Sequence, residues 1–186
     1  MNPRRFFATL FLPMAIAACA APPKDDLLER FEAALLAQDS ATAALEGWCA
    51  TRGLANPATI RAEPVAGQQL PPTRRNRLML EVEAGEEVGY RHVRLTCGGK
   101  VLSQAHNWYV PARLTPDMNR QLETGDTPFG RVIAPLNFTR ERLSGTRGGI
   151  EECPDGTVLH HHAVLRLPDG RPVSTVIECY TADNLR

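Results

Sequence analysis

The chain has 186 residues, of which 43% are hydrophobic and 23% charged, the composition of one globular domain with its own core and not of a disordered segment. Its 21 basic residues balance its 21 acidic ones, which argues against a protein that grips nucleic acid through broad electrostatics. Its 15 Pro and 14 Gly imply many turns and favour a sheet-containing fold over a helical bundle.

Arg4 and Arg5 precede a run of thirteen mostly apolar residues, Phe6 to Ala18. A bilayer-spanning helix needs about 20 residues, whereas a run this short suits the core of a signal peptide. It ends in Ile16-Ala17-Ala18-Cys19, which resembles the lipobox of bacterial lipoproteins. Small residues there admit a signal peptidase, and the Cys19 thiol takes the lipid. The other reading is an ordinary secretory signal followed by chance by a cysteine. The lipobox resemblance implies residues 1–18 as signal peptide, 19–23 as a short tether and 24–186 as one domain. It also implies sorting to the periplasmic face of the outer membrane, because Ala20 and not Asp follows the cysteine. The lipid would then be the only membrane contact. Loss of Arg4 and Arg5 leaves 19 basic and 21 acidic residues, a mildly acidic mature chain. In an oxidising compartment Cys49, Cys97, Cys153 and Cys179 are an even set open to two disulfides, with the pairing undecided. Zinc is the weaker reading, since no Cys-x-x-Cys spacing is present.

From Lys24 to Gln38, Leu28, Phe31 and Leu35 recur at helical spacing. Asp39 or Ser40 then offers an N-cap for a second helix with the stripe Ala41, Ala44, Leu45 and Trp48, closed by Gly53 and Pro57. The stretch Pro57 to Arg77 is rich in Pro, Gln and Arg and reads as one edge strand and a long loop. Val88 to Cys97 alternates apolar with polar, Gly98-Gly99 turns, and Val101 to Val110 returns as a hairpin. Thr115-Pro116-Asp117 starts a helix that ends near Gly125. Val132 to Leu143 predicts a strand and Ser144 to Gly149 a glycine-rich loop. Thr157 to Leu167 and Pro172 to Thr181 form a last hairpin around Pro168-Asp169-Gly170. The sum is an α+β domain: two N-terminal helices, then an antiparallel sheet interrupted by one helix.

Two hairpin registers single out chemistry. If Asp169-Gly170 is a two-residue turn, Glu178 lies opposite His161, a carboxylate in an otherwise apolar strand. Desolvation among Val176, Ile177 and Cys179 would suit it to general-acid work; a salt-bridged or edge-strand Glu is the equal alternative. If Gly98-Gly99-Lys100 is a three-residue loop, Arg91 faces Asn107, with Val93, Ala105, Leu95 and Ser103 on the same face. Small residues beside an Arg leave room for an anion held by its fork. The other reading of Arg91 is a surface charge. Thr127-Pro128-Phe129-Gly130-Arg131 reads as a turn in which Gly130 permits close backbone approach and Arg131 supplies a second cation. Of His160, His161 and His162, only the first and last share a strand face. They read first as polar edge-strand residues, with weak zinc or copper binding by the His160-x-His162 pair as the lesser reading.

Taken in order, several strings resemble the chorismate lyase family, whose fold is shared with ligand-sensing domains of some bacterial transcription regulators. They are Asp39-Ser40-Ala41-Thr42, Tyr90-Arg91-His92-Val93-Arg94-Leu95 with the Gly98-Gly99 turn, and Asn107-Trp108-Tyr109-Val110-Pro111. Thr127-Pro128-Phe129-Gly130-Arg131 and Glu178 after the last turn complete the set. The resemblance spans nearly the whole mature chain. It implies a six-stranded antiparallel sheet with helices on one side, enclosing a site for a small aromatic or cyclic carboxylate, without metal or organic cofactor. Arg91 would bind and polarise the ligand carboxylate, and Glu178 would protonate the departing enolpyruvyl group as pyruvate leaves. Ser40, Ala41 and Thr42 would contact the ring through backbone groups. Asn107 stands where the family carries a second arginine, so a dicarboxylate loses one clamp; His106, Arg94 and Arg131 are the candidates to replace it. The address departs too, since chorismate is made and used in the cytoplasm. The expected function is lipid-anchored binding of a small carboxylate, with cofactor-free lyase chemistry as its catalytic extension. The alternative is a non-catalytic structural or interaction lipoprotein of the envelope.

Overall fold

Residues 24–67 and 69–186 are described by the computed structural model of the chain; the expected signal peptide, tether and lipidation site Cys19 lie outside the described residues. Helix α1 (Lys24–Leu36) turns Leu27, Leu28, Phe31 and Leu35 into the core. Of the two candidate caps for α2 (Ala41–Thr51), Ser40 is the one used: its hydroxyl accepts the Ala43 N–H at 3.3 Å, satisfying one of the first-turn donors. Strand β1 (Ile60–Pro64) is the predicted edge strand. A helix, α3 (Arg74–Leu80), replaces the expected long loop. Thr73 and Asn76 cap its start reciprocally, and Asn76 and Leu80 are buried, so a cap and two inward residues outweigh the loop-like composition.

Strands β2 (Gly89–Cys97) and β3 (Lys100–Tyr109) form the central hairpin, and α4 (Pro116–Thr124) starts at the predicted cap Thr115 and stops at Gly125. The strand expected from Val132 begins only at Thr139. Before it lie a short helix, α5 (Phe129–Val132), and a 3-10 turn at Ala134–Leu136, where Pro135 has no N–H to give a ladder. Strand β4 (Thr139–Arg147) then runs on through Ser144 and Gly145, so the glycine-rich loop is shorter than expected. Strands β5 (Thr157–Arg166) and β6 (Pro172–Thr181) complete the sheet.

All six strands pair antiparallel in the order β1-β2-β3-β6-β5-β4. Strand β5 is therefore interior, and His160 and His161 are buried within it, contrary to the edge-strand reading of the histidines. One face of the sheet packs Val93, Leu95, Ala105, Leu159 and Val176 against α1 and α2. There Phe31 meets Trp48 at 5.1 Å and the edge of Tyr180 at 5.4 Å. Leu80 of α3 packs with Trp108, Ile177 and Cys179 on the other face, so helices are not confined to one side. Of the three pairings, the chain forms Cys49–Cys97, tying α2 to β2, and Cys153–Cys179, tying the β4–β5 connection to β6.

Candidate functional site

Both predicted cross-strand pairs are present: Arg91 opposite Asn107 and His161 opposite Glu178. The turns that produce them differ from the expected ones. Gly98-Gly99 alone closes β2–β3, with Cys97 paired to Lys100, and an irregularity at Leu95/Thr96 shifts the register into place. Between β5 and β6 the chain makes a longer connection, with Leu167 N–H donating to Arg171 O, and a second shift at Leu165/Arg166 restores the pairing.

Because β3 and β6 are neighbours, Asn107 pairs with Val176 and Ala105 with Glu178. Arg91, Asn107, Val176 and Glu178 thus share one face, and Ala105 leaves space between them. The N-terminal end of α2, with Ser40, Ala41 and Thr42, closes over this space together with Phe129 and Gly130 of α5. The resulting pocket has a volume of about 50 Å³. Its walls are largely apolar, with Val93, Leu95, Phe138 and Leu165 among them. Gly130 makes the closure feasible: a Cβ there would lie 2.7 Å from Ser40 Oγ and 3.2 Å from Thr42 Oγ1.

The electrostatics inside are unequal. Arg91 donates only to the carbonyls of Thr127 and Gly125, each at 3.4 Å, and pairs with no carboxylate among the described residues. Burial lowers its pKa, with Tyr109 acting in the opposite sense. Asn107, also in the pocket wall, accepts a short hydrogen bond from Ser174 Oγ through Oδ1. Glu178 takes the salt-bridged alternative, buried in the middle of the sheet. Arg140 donates to both of its oxygens, and Tyr180 Oη donates to Oε2 at 2.8 Å. The paired side chains are only 4% and 7% exposed. Burial works against the charge of Arg140, but Glu178, aided by Tyr180 and Asp39, outweighs it and raises the pKa. Burial and Glu178 push the Tyr180 phenol well above its ordinary value.

Seven of the predicted residues, Ser40, Ala41, Thr42, Arg91, Asn107, Gly130 and Glu178, therefore line one pocket. Arg131 does not: it turns outward to Glu46 at 2.6 Å and Ile60 O at 3.3 Å. His106 lies on the opposite face, where its ring stacks on His92 at 4.0 Å, and Arg94 is exposed. The second cation in the pocket is Arg140, which sequence reasoning missed. Its one local signal is the alternation Thr139-Arg140-Glu141-Arg142, which places an arginine on the inward face once β4 is started at Thr139. Among the described residues no three His, Cys, Asp or Glu are grouped to hold a metal ion.

This six-stranded antiparallel α+β fold with a pocket between sheet and N-terminal helices defines the class: a chorismate-lyase-like fold. PhnF from Mycobacterium smegmatis has the same fold at 15% identity and TM-score 0.54. The match covers 89% of this chain and 88% of that one for the whole protein, and 78% and 90% for its effector domain. Against the possible transcriptional regulator YydK from Bacillus subtilis, at 14% identity and TM-score 0.49, the match covers 67% of this chain and only 60% of the regulator. No family model matches the chain. It is 42% identical over 175 residues to the uncharacterized protein y4mC of Sinorhizobium fredii, covering 83% of this chain and 73% of that protein. The chain belongs to the y4mC family.

Proposed function

We propose that the protein binds one small aromatic or cyclic monocarboxylate in this pocket, without turning it over, while anchored through Cys19 at the periplasmic face of the outer membrane. The observation that carries the reading is Arg91, a half-buried guanidinium in an apolar pocket with no acid to answer it among the described residues. An unpaired cation in such a place costs free energy until an anion arrives, and the planar fork suits a carboxylate. Arg140 is already neutralised by Glu178, so the pocket has one clamp and calls for one carboxylate. Lyase chemistry needs Glu178 free to reach the substrate, whereas both of its oxygens are engaged by Arg140 and Tyr180. Two disulfides support an oxidising compartment, and PhnF uses the same fold as an effector domain.

Calorimetric titration of 4-hydroxybenzoate into the purified protein and its Arg91→Ala variant tests the binding reading, with chorismate assayed for pyruvate release in parallel. Saturable one-site binding that Arg91→Ala abolishes, with no pyruvate, is the expected result. Pyruvate release that disappears in Glu178→Ala would establish the lyase instead. Palmitate labelling lost on Cys19→Ser checks the anchor.

A further inference from the structure

We propose that His160 and His162 bind a first-row transition dication, copper(II) above zinc(II), on the sheet face opposite the Arg91 pocket. The site is independent of the carboxylate reading. Both side chains line a cleft of about 710 Å³ between α3 and the β4–β5 connection. Two positions apart on one strand, they stand on the same face about 6.6 Å from each other. Strand β5 is interior, so neighbouring strands hold its backbone on both sides.

The hydrogen bonds of the two rings fix which nitrogen of each is free. His160 Nδ1 lies 2.9 Å from Gly148 O; a carbonyl only accepts, so Nδ1 carries the proton. Thr175 gives its one hydroxyl proton to Ala163 O at 3.3 Å. Toward His162 it therefore accepts, and His162 Nε2 carries the proton, at 3.2 Å. Lone pairs remain on His160 Nε2 and His162 Nδ1. Neither has a protein partner among the described residues, and neither is sealed from solvent. Their directions follow from where the two acceptors sit. Gly148 N–H donates to Val158 O, which puts Gly148 on the far side of His160 from His162. Thr175 pairs with Val164, on the far side of His162 from His160. Both N–H groups thus point away from the pair, and the free nitrogens across each ring turn toward the gap between them.

Metal-binding histidines are oriented in this way, through a hydrogen bond from the ring nitrogen that does not bind. Neutral imidazoles suit copper and zinc, whereas magnesium and calcium take oxygen ligands, and copper(II) is the tightest of the series. Two protein ligands leave the other coordination positions to water or to a small ligand in the cleft. Charge on the walls is mixed. Arg75 opposes a dication, and the carboxylate of Glu152, in no ion pair among the described residues, offsets it.

Copper(II) chloride titrated into the purified protein, followed by calorimetry and electron paramagnetic resonance, tests the site. Saturable uptake is expected, with hyperfine splitting from two imidazole nitrogens and partial quenching of tryptophan emission, because Trp108 lines the same cleft. His160→Gln and His162→Gln should each weaken copper at least about tenfold. Thr175→Val removes the acceptor that orients His162 and nearly keeps the shape, so it should weaken copper by about 10–100-fold. It serves as the test if either histidine variant fails to fold. Uptake that does not saturate, a spectrum with fewer than two nitrogens, equal binding of magnesium, or an affinity unchanged in every folded variant would overturn the proposal.

Discussion

Removing either member of the Arg140–Glu178 pair alone is expected to damage the fold far more than removing both. In Arg140→Met the carboxylate of Glu178 keeps only the Tyr180 hydroxyl, 2.8 Å away, inside a sheet where it is 7% exposed. In Glu178→Met the guanidinium, 4% exposed, is left without its acid. Each case strands a buried charge, which costs about 3–5 kcal/mol. The double variant strands no charge and replaces both groups with unbranched apolar side chains, leaving the buried Tyr180 hydroxyl without its acceptor, so it should come within about 1–3 kcal/mol of wild-type stability. The resulting coupling energy is at least about 3 kcal/mol, well outside the error of a double-mutant cycle. Urea unfolding followed by tryptophan fluorescence measures all four proteins. With a slope of about 1–3 kcal/mol per molar, each single variant should lose roughly 2 M in midpoint. Additive single effects, or a loss below about 1 kcal/mol in each, would mean that water reaches the pair and that the pocket floor is not dry.

Other consequences are open to measurement. Arg91→Lys keeps the charge but loses the planar fork, so affinity for 4-hydroxybenzoate should fall by about 2 kcal/mol; calorimetry with unchanged affinity would contradict the bidentate role. Replacing Cys49 and Cys97 with Ser opens a crosslink between residues 48 apart, and chain entropy puts the loss at about 4 kcal/mol, to be read by thermal unfolding under non-reducing conditions. Thr73→Ala breaks the capping box of α3 and should cost about 1 kcal/mol without changing ligand affinity. Burial holds the pKa of His161 and of His92 down at about 4. Over the range between there and the ordinary value near 6.5 the unfolded chain binds more protons than the folded one. Stability should therefore be full above about pH 6.5 and fall as pH drops toward 4. Unfolding free energies that stay flat between pH 7 and pH 4.5 would argue that both rings are reached by water.

The two hairpin registers were legible because each tolerates only one placement of its apolar face. Arg91 meets Asn107 and His161 meets Glu178, although both turns were counted one way and built another. A shifted pair in each ladder absorbs the difference, and nothing local in Thr96 or Arg166 announces it. Arg140 was not legible. Its partner is 38 positions away, on a strand that reaches it only through β5, and the sequence around Pro135 conceals where β4 starts. Helix α3 was hidden by Pro71, Pro72 and a run of arginines, while the Thr73-x-x-Asn76 spacing that caps it was present and unread. The outward turn of Arg131 follows from Glu46 on α2, a long-range partner that a turn motif does not reveal.

The sheet has two outer strands, and they are protected by different means. Strand β1 is short, ends in Pro64, and has its outward Ala62 N–H taken by Asp126 O at 2.7 Å. Strand β4 is nine residues long and exposed along most of its length. Long open edges invite pairing with another chain, and charged side chains along them, inward-pointing ones included, are a common defence. Arg140, Glu141, Arg142 and Arg147 supply those charges, and Arg140 turns inward to Glu178 while Arg147 reaches Glu32 of α1. Arg140 is held inside by Glu178, so the exposed Glu141 and Arg147 are what guards the long edge, and a change at either alters colloidal behaviour while the pocket stays as it is.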